Sequence, residues 1–308
     1  MRFTLRQLQV FVAVASQGNV SRAAESLALS QSAASTSLSE LERQSSCQLF
    51  DRAGKRLNLN SLGQQLLPQA IALLEQAREI EALFNGKTGT GSLAVGATLT
   101  VGNYLATLLI GSFMQRYPQC QVSLHVQNTA NTVQQIAHYE LDLGMIEGDC
   151  QHPDIEVQSW VDDELVVFCA PEHPLARRGE ASMAELCHEA WILREKGSGT
   201  RLTFDQAMRH RPAPLNIRLE LEHTEAIKRA VESGLGISCI SRLALRDAFR
   251  RGSLVAVETP ELDLIRQFHF IWHKQKYQNA AMSDFLELCR SLTTGVSRSD
   301  QIVLPSLR

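Results

Sequence analysis

The chain has 308 residues, 44% of them hydrophobic and 20% charged, which is typical of a globular protein with two or three domains. It contains no run of about eighteen apolar residues that could span a membrane, and its N-terminus lacks the apolar core and cleavage site of a secretory signal. We therefore expect a cytoplasmic protein without membrane partners. The seven cysteines are widely spaced and form no C-x-x-C pair, which argues against a disulfide framework or a zinc site.

The net charge of −3 is unevenly distributed along the chain. Residues 1–60 carry a net charge of +3, and the remaining residues carry −6. Because a basic segment can bind phosphates even in an acidic chain, nucleic acid stays a candidate partner of the N-terminal part.

Residues 21–42, SRAAESLALSQSAASTSLSELE, are unusually rich in small side chains. Two groups of apolar residues at helical spacing predict two short helices, with Ser30 as the N-cap of the second. Helices packed through alanines and joined by a tight turn are typical of a helix-turn-helix, although a Ser/Ala-rich surface hairpin is an alternative. The polar face of the second helix carries short side chains that can reach base edges in a major groove. They are Gln31, Ser32, Ser35 and Thr36.

The next segment, LFDRAGKRLNLN at 49–60, has the pattern of a basic β-hairpin wing. Arg52, Lys55 and Arg56 surround Gly54 in this segment, and phosphates are the expected target of such a cluster. Together with Arg22 they complete the predicted DNA-contacting set. A solvated basic turn is the alternative.

Residues 61–84 carry a heptad-like seam that predicts a long helix with a partner helix. The seam consists of Leu66, Ala70, Leu73, Ala77, Ile80 and Phe84. We expect Pro68 to lie near the first turn, where its missing N–H does least harm. A dimerising linker would fix the spacing of two DNA-binding heads, and packing on its own domain is the alternative. The following segment, NGKTGTGS, predicts a flexible joint.

The order of helix-turn-helix, QLFDRAGKRLNLNSLG wing, long helix and Gly-rich joint resembles the LysR-type transcriptional regulators over the whole chain. The segments TLTVGNYLA, DLGMIEG, ILREKGSGTR and EAIKRAVESGLGISCISR look like the branch that holds sulfite-reductase activators and Calvin-cycle operon activators. Ser45 and Ser46 stand where the family usually shows a Leu-Gly helix ending, so we expect strain at the end of the recognition helix.

The resemblance implies an α/β protein with an N-terminal winged helix-turn-helix, a long linker helix and a two-lobed periplasmic-binding-protein-like effector domain. The predicted bounds are 1–60 for the DNA-binding domain, 61–85 for the linker helix, 86–91 for the hinge and 92–308 for the effector domain. Lobe I is expected over about 92–162 and 267–295, and lobe II over about 163–266. The implied partners are double-stranded promoter DNA, further copies of the chain as a homodimer or homotetramer, and RNA polymerase.

Short apolar strands alternate with helical patterns after residue 92, and three strand-to-helix junctions are rich in hydroxyl and amide side chains. Helix N-termini present free N–H groups that attract anions, so three such junctions on two lobes favour a binding site over ordinary N-capping. The predicted ligand-binding residues are Thr98, Thr100, Asn128, Thr129, Ser198, Gly199 and Thr200.

Glu147, at the end of a predicted strand, is also included in this site. The few apolar groups in the site favour a compact polar guest, with sulfite or a related sulfur oxyanion first and a small carboxylate or phosphorylated metabolite second. A carboxylate beside an anion is repulsive unless a proton is shared, so Glu147 would favour a weakly acidic guest such as bisulfite. A structural salt bridge from Glu147 to Arg201 or Lys228 is the alternative.

Signals for catalysis and for cofactors are weak. GKTGTGS has no lysine after its last glycine, where a nucleotide-binding P-loop requires one, and GLGISC breaks the dinucleotide fingerprint because Cys239 stands in place of a glycine. His269 and His273 have metal-ligand spacing only on a helix, whereas their segment predicts a strand. We therefore expect neither an enzyme nor a bound cofactor or metal. A ligand-responsive transcription factor is the leading function, and a two-lobed solute-binding protein is the alternative.

Overall fold

The computed structural model describes residues 2–53, 56–84 and 91–303. The N-terminal part is a three-helix unit with a hairpin and one long helix. Its elements are α1 (Leu5–Gln17), α2 (Val20–Ser26), α3 (Gln31–Ser45), β1 (Phe50–Ala53), β2 (Arg56–Leu59) and α4 (Ser61–Phe84).

The predicted helix-turn-helix is confirmed, and its small side chains explain how closely the helices pack. Ala23 and Ala24 of α2 and Ala34 of α3 are buried against Phe11 of α1, so that these helices share one core. The Ser30 hydroxyl accepts a hydrogen bond from the backbone N–H of Ala33 and caps α3, as expected. β1 and β2 pair in antiparallel register and form the hairpin that the wing pattern predicts.

The end of α3 has the backbone geometry that the sequence indicates. Ser46 adopts a left-handed conformation with φ of 50°, which a glycine adopts at lower cost. The Cys47 N–H donates to the Glu42 carbonyl and closes the last turn. Helix α3 therefore ends in a strained serine.

The two halves of α4 lie in different environments. In the N-terminal half, Ala70 is buried in the core of the helix-turn-helix, and Leu66 and Leu73 pack against that core. In the C-terminal half, Ile80 and Phe84 are exposed. The first half of the predicted seam thus packs against the helix-turn-helix domain of the same chain. Pro68 lies inside the helix and not near its first turn, which corrects the expectation for that residue.

The remaining elements form an α/β domain. Its strands are β3 (Ser92–Thr98), β4 (Gln121–Gln127), β5 (Leu143–Glu147), β6 (Ile155–Cys169), β7 (Ala190–Arg194), β8 (Asn216–Leu221), β9 (Ser238–Ser241), β10 (Val255–Val257) and β11 (Ile265–His273). Its helices are α5 (Leu99–Val101), which continues through a π-helical turn (Gly102–Ala106) into α6 (Thr107–Arg116), then α7 (Thr129–Ala137), α8 (Pro174–Arg178), α9 (Met183–Leu186), α10 (Gly199–Ala207), α11 (Thr224–Glu232), α12 (Arg242–Arg251) and α13 (Ala280–Leu292), followed by a 3-10 turn (Ser299–Gln301).

These strands build two lobes that share β6. In lobe I, β3 lies between β4 and β5 in parallel, and β11 pairs antiparallel with both β5 and β6. In lobe II, the C-terminal half of β6 pairs with β9 and β10, while β7 pairs with β8. The carboxyl ends of β3 and β5 and the N-termini of α5, α7 and α10 therefore approach the junction between the lobes.

Helix α13 packs against α6, with Phe113 and Phe285 ring centroids 5.3 Å apart, and so belongs to lobe I as the resemblance implies. His269 and His273 both lie on β11, and the predicted strand is confirmed there. Over the residues that the structure describes, none of the helices is long and apolar enough to cross a membrane.

Candidate effector site and DNA-binding face

Residues from all three predicted junctions meet between the lobes. Thr98 is the N-cap residue of α5, Asn128 caps α7 and Ser198 caps α10. The Gly199 N–H of lobe II donates to the Thr129 hydroxyl of lobe I over 3.1 Å. The lobes therefore contact each other directly at the predicted site.

Gly199 is required by this close approach. A Cβ atom at this position would lie only 2.1 Å from the Glu147 carbonyl oxygen. Any larger residue would push α10 away from the end of β5 and open the junction.

Glu147 occupies the centre of the junction, and its side chain is 1% exposed. One carboxylate oxygen accepts from the Thr100 N–H at 2.8 Å. The other accepts from the Thr200 hydroxyl at 2.8 Å and pairs with Arg266 Nη1 at 2.7 Å. A helix N-terminus, a hydroxyl and a guanidinium are the groups that bind free oxyanions in proteins, so the junction already binds a carboxylate of its own chain.

The predicted salt-bridge alternatives for Glu147 are wrong. Arg201 pairs with Asp205 and Glu220, and Lys228 pairs with Glu225. The actual partner is Arg266 on β11, which lies opposite Asp163 in the strand register and also pairs with Asp163 at 2.7 Å.

Burial and neighbouring charges have opposite effects on the pKa values of the Glu147 and Asp163 carboxyls. Burial raises the pKa of Glu147, but the charges of Arg266 and Arg194 and the hydrogen bonds from the two threonines outweigh burial and lower this pKa to about 2. Burial also raises the pKa of Asp163, and the charge of Arg266 and the hydrogen bonds from Ser299 and Ser241 only partly oppose this. Arg266 therefore opposes the effect of burial on the pKa of both carboxyls, and at Glu147 the opposing interactions prevail.

Other polar groups of the junction are less firmly engaged. The Thr98 hydroxyl donates to the Met145 carbonyl at 3.5 Å, and the Ser198 hydroxyl accepts from the Arg201 N–H at 3.5 Å. Both distances are at the limit of a hydrogen bond, so either hydroxyl can turn toward a guest at small cost. The side chains of Thr98 and Ser198 are buried, as is that of Thr200.

A second cluster joins the lobes away from Glu147. The Tyr104 hydroxyl of lobe I donates to Glu225 at 2.5 Å and accepts from Lys228 at 3.3 Å. Burial and then the Glu225 carboxylate raise the pKa of Tyr104, so it stays a hydrogen-bond donor. Tyr104 therefore holds α11 of lobe II against the π-helical turn of lobe I.

Three cavities among the described residues lie away from the junction. One of about 950 Å³ lies between the helix-turn-helix and lobe I, and one of about 390 Å³ lies beside the C-terminal half of α4. A third, of about 220 Å³, lies along β6 and β10. The predicted ligand residues meet at the junction itself, and the Glu147 carboxylate lies among them.

The predicted DNA-contacting residues lie mostly on the surface of the N-terminal unit. Gln31, Ser32 and Thr36 of α3 are exposed, and Ser35 is half-buried. Arg22 of α2 and Arg56 of β2 are exposed and line the cavity of about 950 Å³ that faces lobe I. Arg52 lies in β1, and Lys55 lies outside the described residues.

Sequence reasoning missed Arg266 and Asp163. Arg266 stands at an inward position of β11 in alternation with Phe268 and Phe270, and Asp163 alternates with Val161 and Leu165 in β6. A charged residue at an inward strand position needs a buried partner, and this signal would have pointed to the pair.

Comparison with known proteins agrees with this architecture. Residues 5–64 match the family described as bacterial regulatory helix-turn-helix protein, lysR family, and residues 86–293 match the LysR substrate binding domain. The chain is 44% identical to the HTH-type transcriptional regulator YeiE of Escherichia coli over 94% of this chain and 98% of that protein. It is 32% identical to the RuBisCO operon transcriptional regulator of Allochromatium vinosum over 94% and 97%.

A solved structure extends the comparison to a bound ligand. The regulatory domain of Synechocystis CcmR in complex with 2-PG superposes with a TM-score of 0.63 and 31% identity, covering 67% of this chain and 99% of that one. The matched families and relatives are transcriptional regulators and not enzymes. The winged helix-turn-helix, the two-lobed domain and these matches together show that the chain belongs to the LysR family of transcriptional regulators.

Proposed function

We propose that this LysR-type regulator senses a small oxyanion at the junction between its lobes, with sulfite or a related sulfur oxyanion as the first candidate. The observation that carries the proposal is the binding of the Glu147 carboxylate by the Thr100 N–H, the Thr200 hydroxyl and Arg266. These donors are complementary to an oxyanion, and a free oxyanion would compete with Glu147 for them.

Glu147 also supports a preference among oxyanions. Its carboxylate is ionised at neutral pH because its pKa is lowered to about 2. A fully ionised guest such as sulfate would be repelled, whereas bisulfite keeps its proton and can donate a hydrogen bond to the carboxylate. The proposed guest is therefore a weakly acidic oxyanion. The proposed contacts are those predicted from the sequence, namely Thr98, Thr100, Asn128, Thr129, Glu147, Ser198, Gly199 and Thr200.

A small carboxylate or phosphorylated metabolite is the second candidate. The complex of the CcmR regulatory domain with 2-PG favours it, because that domain is 31% identical to this chain. The same junction would serve either class, since both present oxyanion groups.

The proposed response couples the junction to DNA. An effector that shares the donors of Thr200 and Arg266 with Glu147 would change the contact between the lobes, and so the geometry of paired effector domains. We assign promoter recognition to residues 1–60, with α3 as the reader, and dimerisation to the linker at 61–85. In this proposal the hinge is 86–91 and the effector domain is 92–308. The regulator acts in the cytoplasm as a homodimer or homotetramer. RNA polymerase is a further proposed partner, and genes of sulfur assimilation are a candidate target.

Calorimetry on the full-length chain tests the ligand proposal. Sulfite, sulfate, phosphate and small carboxylates are titrated into wild type, Thr200→Ala and Glu147→Gln. We expect sulfite to bind wild type, to bind Thr200→Ala at least about tenfold more weakly, and to lose its advantage over sulfate in Glu147→Gln.

Thr203→Ala is the matched control, because the Thr203 hydroxyl lies on the same helix and donates to the Gly199 carbonyl within that helix. This variant should bind sulfite like wild type. Equal sulfite binding by wild type and Thr200→Ala would place the site elsewhere, and no binding of any tested anion would remove the ligand proposal.

A further inference from the structure

Arg266 has a hydrogen-bond donor that the folded chain leaves unused. Its side chain is 2% exposed, its Nε donates to Asp163 at 2.7 Å, and its Nη1 donates to Thr200 at 3.0 Å and pairs with Glu147 at 2.7 Å. Its Nη2 is buried and has no hydrogen-bond partner among the described residues. A guanidinium N–H buried without an acceptor is costly, so a guest that supplies an acceptor here gains affinity.

The position of this donor is fixed on both sides. Asp163 and Glu147 bind different nitrogens of one planar group, which sets the direction of Nη2. The Phe268 ring lies 5.6 Å from the guanidinium carbon and packs beside it. Nη2 belongs to the same planar group as Nη1, which contacts Thr200 and Glu147, so it lies within the junction.

The position also connects the two lobes. Arg266 lies near the start of β11, where the chain returns from lobe II to lobe I, and its Nη1 touches Glu147 of lobe I and Thr200 of lobe II. An oxygen bound by Nη2 would therefore add a contact at a point where the two lobes meet.

We propose that Arg266 is the residue that recognises the negative charge of the effector, donating from Nη2 to one effector oxygen while Asp163 keeps its Nε in place. This inference rests on the proposed oxyanion effector and names the charged donor that the sequence-based site lacks. The planar guanidinium suits an oxyanion, because its N–H groups match the spacing of the oxygens.

The first test is Arg266→Lys in the full-length chain, with sulfite as the probe. Lysine keeps the positive charge beside Asp163 and Glu147 but cannot supply a planar group with donors to three partners. We expect a folded variant whose sulfite affinity is about 10- to 100-fold lower, as for loss of one hydrogen bond to a charged group. Arg242→Lys is the matched control, because Arg242 pairs with Glu164 outside the junction; it should bind sulfite like wild type.

A second measurement does not depend on the folding of a variant. A crystal of the wild-type chain soaked in selenite should show an anomalous selenium peak within about 4 Å of Arg266 Nη2, because an oxygen bonded to selenium would lie about 2.8 Å from this nitrogen.

The outcomes separate this inference from the ligand proposal. If wild type binds sulfite but folded Arg266→Lys binds it equally well, or if selenium lies away from Nη2, then Arg266 is not the charge-recognising residue and the oxyanion proposal survives. If wild type binds none of the tested anions, both fall.

Discussion

The ammonium group of Lys276 lies 2.6 Å from the Glu75 carboxylate, and this ion pair joins the effector domain to the linker helix. Lys276 also pairs with Asp142 at 2.6 Å, although its side chain is only 4% exposed. One helical turn along α4, Glu79 accepts from the Tyr277 hydroxyl and from the N–H of Ala280 at the start of α13. Two glutamates of the linker therefore hold the segment that leads from β11 into α13.

Lys276→Met should destabilise the chain and uncouple its two parts. The substitution leaves Glu75 and Asp142 largely buried without their cation, and loss of one partner of a buried pair costs about 3 kcal/mol. The free energy of unfolding by urea, and the change in DNA affinity on addition of sulfite, measure the two effects. Lys274→Met, at an exposed lysine two residues earlier, should change neither. Equal stability of the two variants would contradict the role given to this pair.

The lowered pKa of Glu147 predicts how stability depends on pH. A carboxyl whose pKa falls from 4.5 in the unfolded chain to about 2 in the folded one stabilises the fold above pH 4.5, and this contribution is lost as the pH falls toward 2. It is on the order of 3 kcal/mol for such a shift. The difference in unfolding free energy between wild type and Glu147→Gln should therefore shrink between pH 4.5 and 2. A difference independent of pH would mean that Glu147 is not ionised against Arg266.

Local patterns predicted much of this structure because each pattern has a local cause. The helical spacing of Ala23, Ala24 and Ala34 predicted the helix-turn-helix, since packing of small residues needs only neighbouring turns. Local patterns predict only some of the residues that contact Glu147. Thr100 and Thr200 belong to helix starts that the sequence shows, whereas Arg266 reaches Glu147 across strands that are far apart in the chain. The order of the strands in the sheet places Arg266 next to Glu147, and no local pattern encodes that order.

The contacts of Tyr104 predict a second control over the junction. Tyr104→Phe removes the hydroxyl that Glu225 and Lys228 share and should cost about 1 kcal/mol of stability. Because the lost bonds connect the lobes, we also expect sulfite affinity to change by a few-fold. Tyr117→Phe is the control, since Tyr117 packs on Phe113 within lobe I. Thermal unfolding and calorimetry compare the variants, and identical behaviour of both would argue against a link through Tyr104.

The exposed end of α4 predicts self-association. Ile80 is 53% exposed, Leu83 72% and Phe84 86%, which places three large apolar side chains on the surface of one chain. Such a patch is typical of an interface, here with the same helix of a second copy. Ile80→Glu should shift the chain toward monomer in light scattering and weaken DNA binding. Arg78→Gln changes the net charge by the same amount at an exposed position on the opposite face of the helix and should leave the oligomer intact. A monomeric wild type would contradict the prediction.

The polar face of α3 predicts where specificity for DNA is lost. Thr36 is exposed, and its neighbours Gln31 and Ser32 are exposed on the same helix, so a bulky apolar side chain at position 36 would prevent close approach to base edges without disturbing the buried face. Thr36→Leu should therefore reduce affinity for the operator at least tenfold, about the cost of one lost base contact, while the melting temperature stays within a few degrees. Gln69→Leu places the same side chain at an exposed position of α4 and should bind like wild type. A gel shift with the DNA flanking the gene, at fixed salt and with nonspecific competitor, compares the three proteins. If Thr36→Leu shifts that DNA as well as wild type does, α3 is not the helix that reads the operator.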